Sequence, residues 1–561
     1  MTFNLNSPPT FNFFYHQLVA IKSGKYKIGL LLFFCLALPY LSFSQKVLWD
    51  KTLGGDKDDL LTATQITSDG GYILGGTSNS GKTSDKTEES KGSTDYWVIK
   101  VNSNGSIAWD KTFGGTGEEV LTALQQTKDG GYILAGYSNS TAGKDKTENS
   151  RGAQDFWILK LNKNGSKAWD KTYGGNRNDQ LSSLQQTNDG GYILGGYSKS
   201  DKSGEKSESS KSTYPLTLND FWIIKINAKG TILWEKTLGG NGEDKLATVQ
   251  QTTDGGYVLG GFSSSHKSGD KSGGNKGGRD YWIVKLNANG KKVWDKTIGG
   301  NDFDNLSSLQ QTTDQGYILA GTSSSDKGGD KSEPGRDSIL NDYWVVKLDA
   351  DGSKVWDKTI GGNLQDFLNS VQQTPDGGYL LGGSSASRIS GEKSEDRRGE
   401  MSGTYDYWLV KLNLNGALLY EKTIGSTQLD ELTDVLQTSD GNYFLSGTSN
   451  SRKGGEKSEK SKGGKDFWLV KLENNFRRIQ TIDFEPILLT KEVGDQAFTL
   501  LAKASSGLPI TFEVLSGSAT LKDNLIKVTA PGIVRVQATL NTRLPTPLKA
   551  LWLPLQVSNG K

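Results

Sequence analysis

Ten residues of this chain, TSDGGYILGG from Thr67 to Gly76, return six more times, starting at Thr127, Thr187, Thr252, Thr312, Thr374 and, as the worn copy TSDGNYFLSG, Thr438. A repeat this regular limits the fold more than any other feature, because each unit must bury its apolar surface against copies of itself. Three further columns keep step. WDKTLGG begins at Trp49, with counterparts at Trp109, Trp169, Trp234, Trp294, Trp356 and Tyr420, spaced 60, 60, 65, 60, 62 and 64 residues apart. DYWVIKVN begins at Asp95 and returns at Asp155, Asp220, Asp280, Asp342, Asp406 and Asp466, while LTALQQT at Leu121 typifies the last column. Of the 14 Trp, 13 fall in two columns, so the repeat places the largest core side chains.

Each unit offers four strand-like segments, here a (LQQT), b (GYILGG), c (DYWVIKVN) and d (AWDKT). The D-G between a and b and the NSNG or NANG between c and d are hairpin turns. The apolar runs of b and c are nearly continuous, as in strands covered on both faces. Four antiparallel strands per unit, seven times over, predict an all-β, seven-bladed β-propeller. No sustained 3.6-residue period supports a helical solenoid, and a β-helix needs a far shorter repeat. The array opens at Val47 with a d segment and closes near Leu472 after a c segment. VLWDKT is therefore expected to pair with Phe467–Leu472 as the outer strand of the last blade, which removes an open edge.

The flanks read differently. Lys22, Lys25 and Lys27 precede the apolar run Ile28–Leu38, and Ser42 and Ser44 place small residues before Gln45, so residues 1–44 are expected to be a cleaved export signal that leaves no transmembrane segment. Cys35, the single cysteine, lies inside it. Its removal takes the formal charge from +2 to about −1, which gives no field to recruit nucleic acid or an anionic membrane. The repeats occupy 45–474. Over 479–558 six strand-like runs separated by Gly, Pro, Ser and Asp predict a small β-sandwich, with no cysteine pair to staple it.

The columns WDKTLGG, LQQTNDGGYILGG and DYWVVKL together resemble the repeats of secreted propeller proteins of Bacteroidota. The tail, QTIDFEPI from Gln480 and VGDQAFTLLAKASSGLPITFEVLSG from Val493, resembles the bacterial Ig-like modules appended to such proteins. The resemblance implies architecture and export, and no agreed activity.

In an a-b-c-d blade the d–a and b–c loops share one face, where a ligand is expected. The b–c loops repeat a charged motif (SDKTEESKG, KDKTENSRG, GEKSESSKS and relatives) that reads chiefly as a solubilising, self-paired pattern. Asp59, Glu119, Asp179, Asp244, Asp304, Asp366 and Asp430 stand just before strand a, and are expected to ring the mouth of the central channel. Such acids need loop backbone, lysines or a hard cation such as Ca²⁺, and backbone capping is the favoured account. No other cofactor is expected. Both Trp columns read as inter-blade packing rather than sugar platforms. His16 and His266 are the only histidines, and no GxSxG, P-loop or CxxC appears, which leaves nucleophilic triads and histidine-rich metal sites without material. The longest b–c loops contain Tyr214, Arg336, Arg397, Arg398 and Tyr405, the binding candidates for a protein or glycan. The expected function is an exported, non-enzymatic scaffold for binding or adhesion at or outside the cell surface. A carbohydrate-binding or carbohydrate-active propeller is the alternative, and a quinone- or metal-dependent oxidoreductase would need ligands the sequence does not offer.

Overall fold

The turn inside the repeated decapeptide is held from three sides. Asp69 accepts the Thr67 hydroxyl at 2.5 Å and the Gly71 amide at 3.0 Å, and Lys100 reaches it from strand c at 3.1 Å. Gly70, at φ 77°, takes the left-handed position that the hairpin requires. Burial alone would raise the Asp69 carboxyl; the hydrogen bonds from Thr67, Gly71 and Lys100 outweigh it and lower it to about 2. The sevenfold motif is thus a turn lock that ties strands a, b and c together.

The computed structural model describes residues 46–212, 218–337, 340–399, 403–474, 482–484, 490–504, 510–540 and 549–558. The expected export signal and Tyr214 lie outside the described residues. The first blade is an antiparallel sheet of Asp59–Ile66, Tyr72–Ser78, Asp95–Val101 and Ile107–Phe113, bonded in that order. Seven sheets of this design follow one another among the described residues. The seventh consists of Asp430–Gln437, Tyr443–Ser449, Asp466–Leu472 and then Val47–Leu53 from the far end of the array, with Leu53 opposite Phe467 and Val47 opposite Leu472. The expected closing strand is there. Its side chains complete the blade: Asp50 accepts the Trp468 indole N–H at 3.2 Å and the Ser458 amide at 2.9 Å, and Thr52 accepts the Lys457 ammonium at 2.8 Å. Asp110 makes the same bonds to Trp97 and Thr87 inside the first blade.

Strand c is buried along its whole length in all seven sheets, as its unbroken apolar run requires. Sheets pack face to face through aromatic pairs. Tyr96 lies 4.9 Å from Trp157 of the next sheet and donates its hydroxyl to the Trp157 carbonyl at 3.1 Å, while Trp109 meets Tyr132 edge-on at 5.6 Å. Both Trp columns therefore serve inter-blade packing. One apolar cluster joins Leu53, Phe444 and Phe467 of the seventh sheet to Tyr72 and Trp97 of the first. Each large side chain so buried contributes roughly 1.5–3 kcal/mol.

Beyond Leu472 the strands change character. Thr490–Glu492, Lys549–Ser558, Gly532–Leu540 and Ile510–Ser516 form one sheet in that order, and Phe498–Thr499, Leu525–Val528 and Ala519–Lys522 form another. Leu500, Ile526, Val528, Val534 and Val536 are their shared core. The described residues are all-β, and no helix among them is long and apolar enough to cross a membrane.

Candidate ligand-binding face

The acid column does not line an open mouth. Each member is the first residue of strand a and is fully buried within its blade, because the preceding loop, Gly-Gly in six blades and Gly425-Ser426 in the seventh, folds back over it. Asp59 accepts the Gly55 amide at 2.6 Å and the Ser80 hydroxyl at 3.0 Å; Asp244 takes Gly240 and Ser265 in the same way at 2.7 and 2.9 Å. Glu119, one methylene longer, uses both oxygens, one for Gly115 and the other for Ser138 and Ser140. Loop capping is what these acids do.

Close by stands a second buried carboxylate, the first residue of strand c in the preceding blade. Asp155 feels the charge of Asp179, Asp220 that of Asp244, Asp342 that of Asp366, Asp406 that of Asp430, and Asp466 that of Asp59. In each of these pairs the Oδ1 atoms find no hydrogen-bond partner. Burial first, then the neighbouring carboxylate, pushes Asp155, Asp220, Asp342 and Asp406 up to about 7. Burial likewise lifts Asp366 and Asp430 to about 6. The counter-charge is a lysine of the b–c loop: Lys206 is buried within reach of Asp220, Glu235 and Asp179. With that role filled by an ammonium, chelation by EDTA is expected to leave the melting temperature unchanged; a drop of more than about 5 °C, restored by Ca²⁺, would show that a cation holds these acids instead.

That lysine corrects the reading of the charged loops. Lys86, Lys146, Lys206, Lys271, Lys331, Lys393 and Lys457 are only 1–2 % exposed, so one charge per loop is structural rather than solubilising. Of the remaining charges, some pair within the blade, as Lys111 does with Glu88 at 2.8 Å, and others pair from loop to loop. Lys91 meets Asp145, Arg151 meets Glu205 at 2.8 Å, Lys276 meets Asp330, Arg336 meets Glu392 at 2.5 Å, Arg398 meets Glu456 at 2.9 Å, and Lys462 of the last loop meets Asp85 of the first. The acids also accept the amide of the first loop glycine, as Glu392 does from Gly361 at 3.1 Å. Charge-assisted and half-buried, these bonds clasp six of the seven blades to their successors; in the third, Lys211 bonds Glu208 of its own loop instead.

Two of the binding candidates are members of that clasp: Arg336 and Arg398 have their guanidinium groups committed to intramolecular carboxylates. Arg397 reaches the Ala386 carbonyl at 3.4 Å and lines a surface hollow with Arg388 and Asp396. Tyr405 donates to Gln365 at 2.7 Å, and its ring lies 5.7 Å from Phe367.

Further departures from the repeat lie at the end of strand b. Near the end of strand b the usual residue is Thr or Ser, and its hydroxyl accepts an amide of the next blade: Thr77 from Leu121 at 3.3 Å, Ser384 from Leu432 at 2.9 Å, Thr448 from Leu61 at 3.0 Å. The second, third and fourth blades carry Tyr137, Tyr197 and Phe262 there, all half-buried. Phe262 has no acceptor, so this position gives up a capping bond to hold a ring. These residues pair with Val120, Gln180 and Lys245, each next in sequence to a buried acid of strand a. Lys245 sits 5.3 Å from the Tyr197 ring, and Arg279 sits 4.6 Å from Phe262 and 5.8 Å from Phe303, which is 48 % exposed. Polar groups are braced beside the rings: Gln180 donates to Gln154 at 2.5 Å, and Glu243 holds Asn219 at 3.0 Å, Lys245 at 3.2 Å and Arg279 at 3.3 Å. Tyr137, Tyr197, Phe262, Phe303, Phe367 and Tyr405 thus place half-open aromatic side chains on five consecutive blades at the loop-face end of the inner strands. Sequence reasoning missed all but Tyr405. The signal was one letter per repeat, AGYS, GGYS and GGFS where other blades read GTS or GSS.

The sheets and this face define a protein of the β-propeller class. No family model matches the chain, and no curated protein matches it. Among solved structures it is similar to a protein of unknown function from Dyadobacter fermentans, with 12 % identity over 76 % of this chain and 99 % of that one, at a TM-score of 0.38. It is also similar to the Pan2 WD40 domain of Neurospora crassa, with 10 % identity over 76 % and 97 % at 0.40, and to Sqt1 of Chaetomium thermophilum, with 11 % over 77 % and 100 % at 0.37. Likeness at this level says nothing of what this chain binds.

Proposed function

We propose that this chain is an exported, non-enzymatic scaffold, a closed seven-bladed β-propeller over 45–474 followed by an Ig-like β-sandwich over 479–558, which binds a macromolecule at or outside the cell surface through its aromatic arc. Seven sheets of one design, with the last sharing a core with the first, support the blade count. The basic and apolar character of residues 22–38 supports export. The buried acids are tied to loop amides, hydroxyls and lysines, which leaves them supporting loops rather than reaching a substrate. The observation that carries the reading is the arc itself. Phe262 takes the place of a residue that elsewhere caps the neighbouring blade, so stability of the fold does not account for it, whereas a contact surface does.

The test uses the repeat's own residues as substitutions. A triple variant, Tyr137→Thr with Tyr197→Thr and Phe262→Thr, restores the side chain found in other blades and should fold. Labelled protein beginning at Gln45 is expected to adsorb to envelope material of the producing cells, and the triple variant is expected to lose at least about tenfold in affinity, or about 1.4 kcal/mol. Equal adsorption of both proteins would sink the proposal.

A further inference from the structure

We infer that the arc recognises a neutral glycan chain, an inference that rests on the binding role proposed for this face. Four observations converge. The planes are serial: Tyr137, Tyr197, Phe262, Phe303 and Phe367 belong to consecutive blades, a layout that suits a chain of similar units better than one compact ligand. The polar groups beside them are mainly side-chain amides, Gln154, Gln180, Asn219 and Gln365, each fixed by a partner before any ligand arrives. Such groups can exchange hydrogen bonds with hydroxyls at little cost in side-chain freedom. The formal charges balance, with Glu118, Glu243 and Glu431 against Lys245, Arg279 and Lys465, so no net charge in the arc selects an ionised ligand. Finally, the tyrosine hydroxyls stay protonated and able to donate: burial lifts Tyr197 to about 12 and raises Tyr137 and Tyr405 as well. Aromatic planes supply apolar contact to the C–H faces of a sugar ring, and amides at their edges read its hydroxyls.

Phe303 is the most open plane, and its replacement should cost affinity without touching the core. The protein from Gln45 onward would be tested by calorimetry against soluble neutral β-glucan, mannan and galactan, and against polygalacturonate as the acidic control. Binding of at least one neutral polymer is expected, weakened at least fivefold by Phe303→Ala and at least tenfold by the triple threonine variant, with both variants melting within a few degrees of the parent. In parallel, the envelope material would be treated with periodate, which destroys sugars, or with protease. Loss of adsorption after periodate, and not after protease, is the expected pattern. Loss after protease alone, or binding of polygalacturonate alone, would overturn the glycan inference while leaving the scaffold reading intact. Adsorption indifferent to the triple variant would overturn both.

Discussion

A chain that begins at Gly54 is expected to be insoluble, or to melt at least about 15 °C below one that begins at Gln45. The missing strand Val47–Leu53 supplies more than an edge. It provides Asp50, which accepts the buried Trp468 indole N–H, and Thr52, the acceptor for the buried Lys457 ammonium. Leu53, nearly buried, and Trp49 pack into the cluster that joins the last blade to the first. Two large side chains at roughly 1.5–3 kcal/mol each, and two buried polar groups left unsatisfied at about 1–3 kcal/mol each, exceed half the stability of an ordinary domain. By contrast, removal of 479–561 should leave the blades folded, since their apolar clusters draw on Val47 through Leu472. Asp50→Ala isolates the side-chain part of the effect and should cost about 1–3 kcal/mol. Melting of the Gly54 chain at the parent temperature would refute the closure.

Stability should also fall as the solution is taken from pH 4.5 to pH 7. The strand-c aspartates Asp155, Asp220, Asp342 and Asp406 titrate near 7 in the folded chain, above the ordinary 3.8. The unfolded chain therefore releases these protons first, so their contribution is fully present below about pH 4 and is lost as pH rises through 7. Every tenfold gain in proton affinity on folding is worth about 1.4 kcal/mol per group, and the same arrangement recurs from blade to blade. The turn aspartates Asp69, Asp129, Asp189 and Asp254, held near 2 by their hydrogen bonds, act in reverse and lose their contribution only in stronger acid. Lys146 and Lys457, held near 8 by burial, are charged throughout the window and add no slope below pH 7. A melting temperature that peaks between about pH 4 and 6 is the expected result. Asp220→Asn, which keeps the shape and removes the charge, should raise the melting temperature at pH 7.5 more than at pH 5. A melting temperature that climbs steadily from pH 5 to 7.5 would contradict this account.

The blades were legible in the sequence because their determinants are local and periodic. A D-G turn, a doubly buried strand c and the count of d segments suffice to place Val47–Leu53 beside Asp466–Leu472. The electrostatics were not legible, because the partners lie one period away. Lys91 looks across its own loop to Glu88 and Glu89, yet it bonds to Asp145, and nothing near it in sequence says so. The seven strand-a acids looked like a channel ring because they read as loop residues ahead of the strand, whereas they are its first residues and lie buried beneath the amide of the preceding loop. The arc escaped notice for a different reason: long loops draw attention as sites, whereas Tyr137, Tyr197 and Phe262 are single changes inside short strands.

The loop-to-loop clasp has a consequence for how such a molecule can change. Lys462 grips Asp85 with the same chemistry by which Lys91 grips Asp145, so the last blade is clasped to the first as the first is to the second, and the break in the array falls inside the seventh blade, between strand c and the closing strand. Val47 and Leu472 are paired partners, and the corresponding gap in the first blade is bridged by the five residues Asn102–Ser106. The blades are therefore largely interchangeable parts: circular permutation keeps every blade junction, and the exchange of one unit for another keeps the turn locks and the inter-blade aromatic pairs. What such exchange would rearrange is the sequence of rings along the arc, so shuffling of repeats becomes a route to new ligand preference on an unaltered frame.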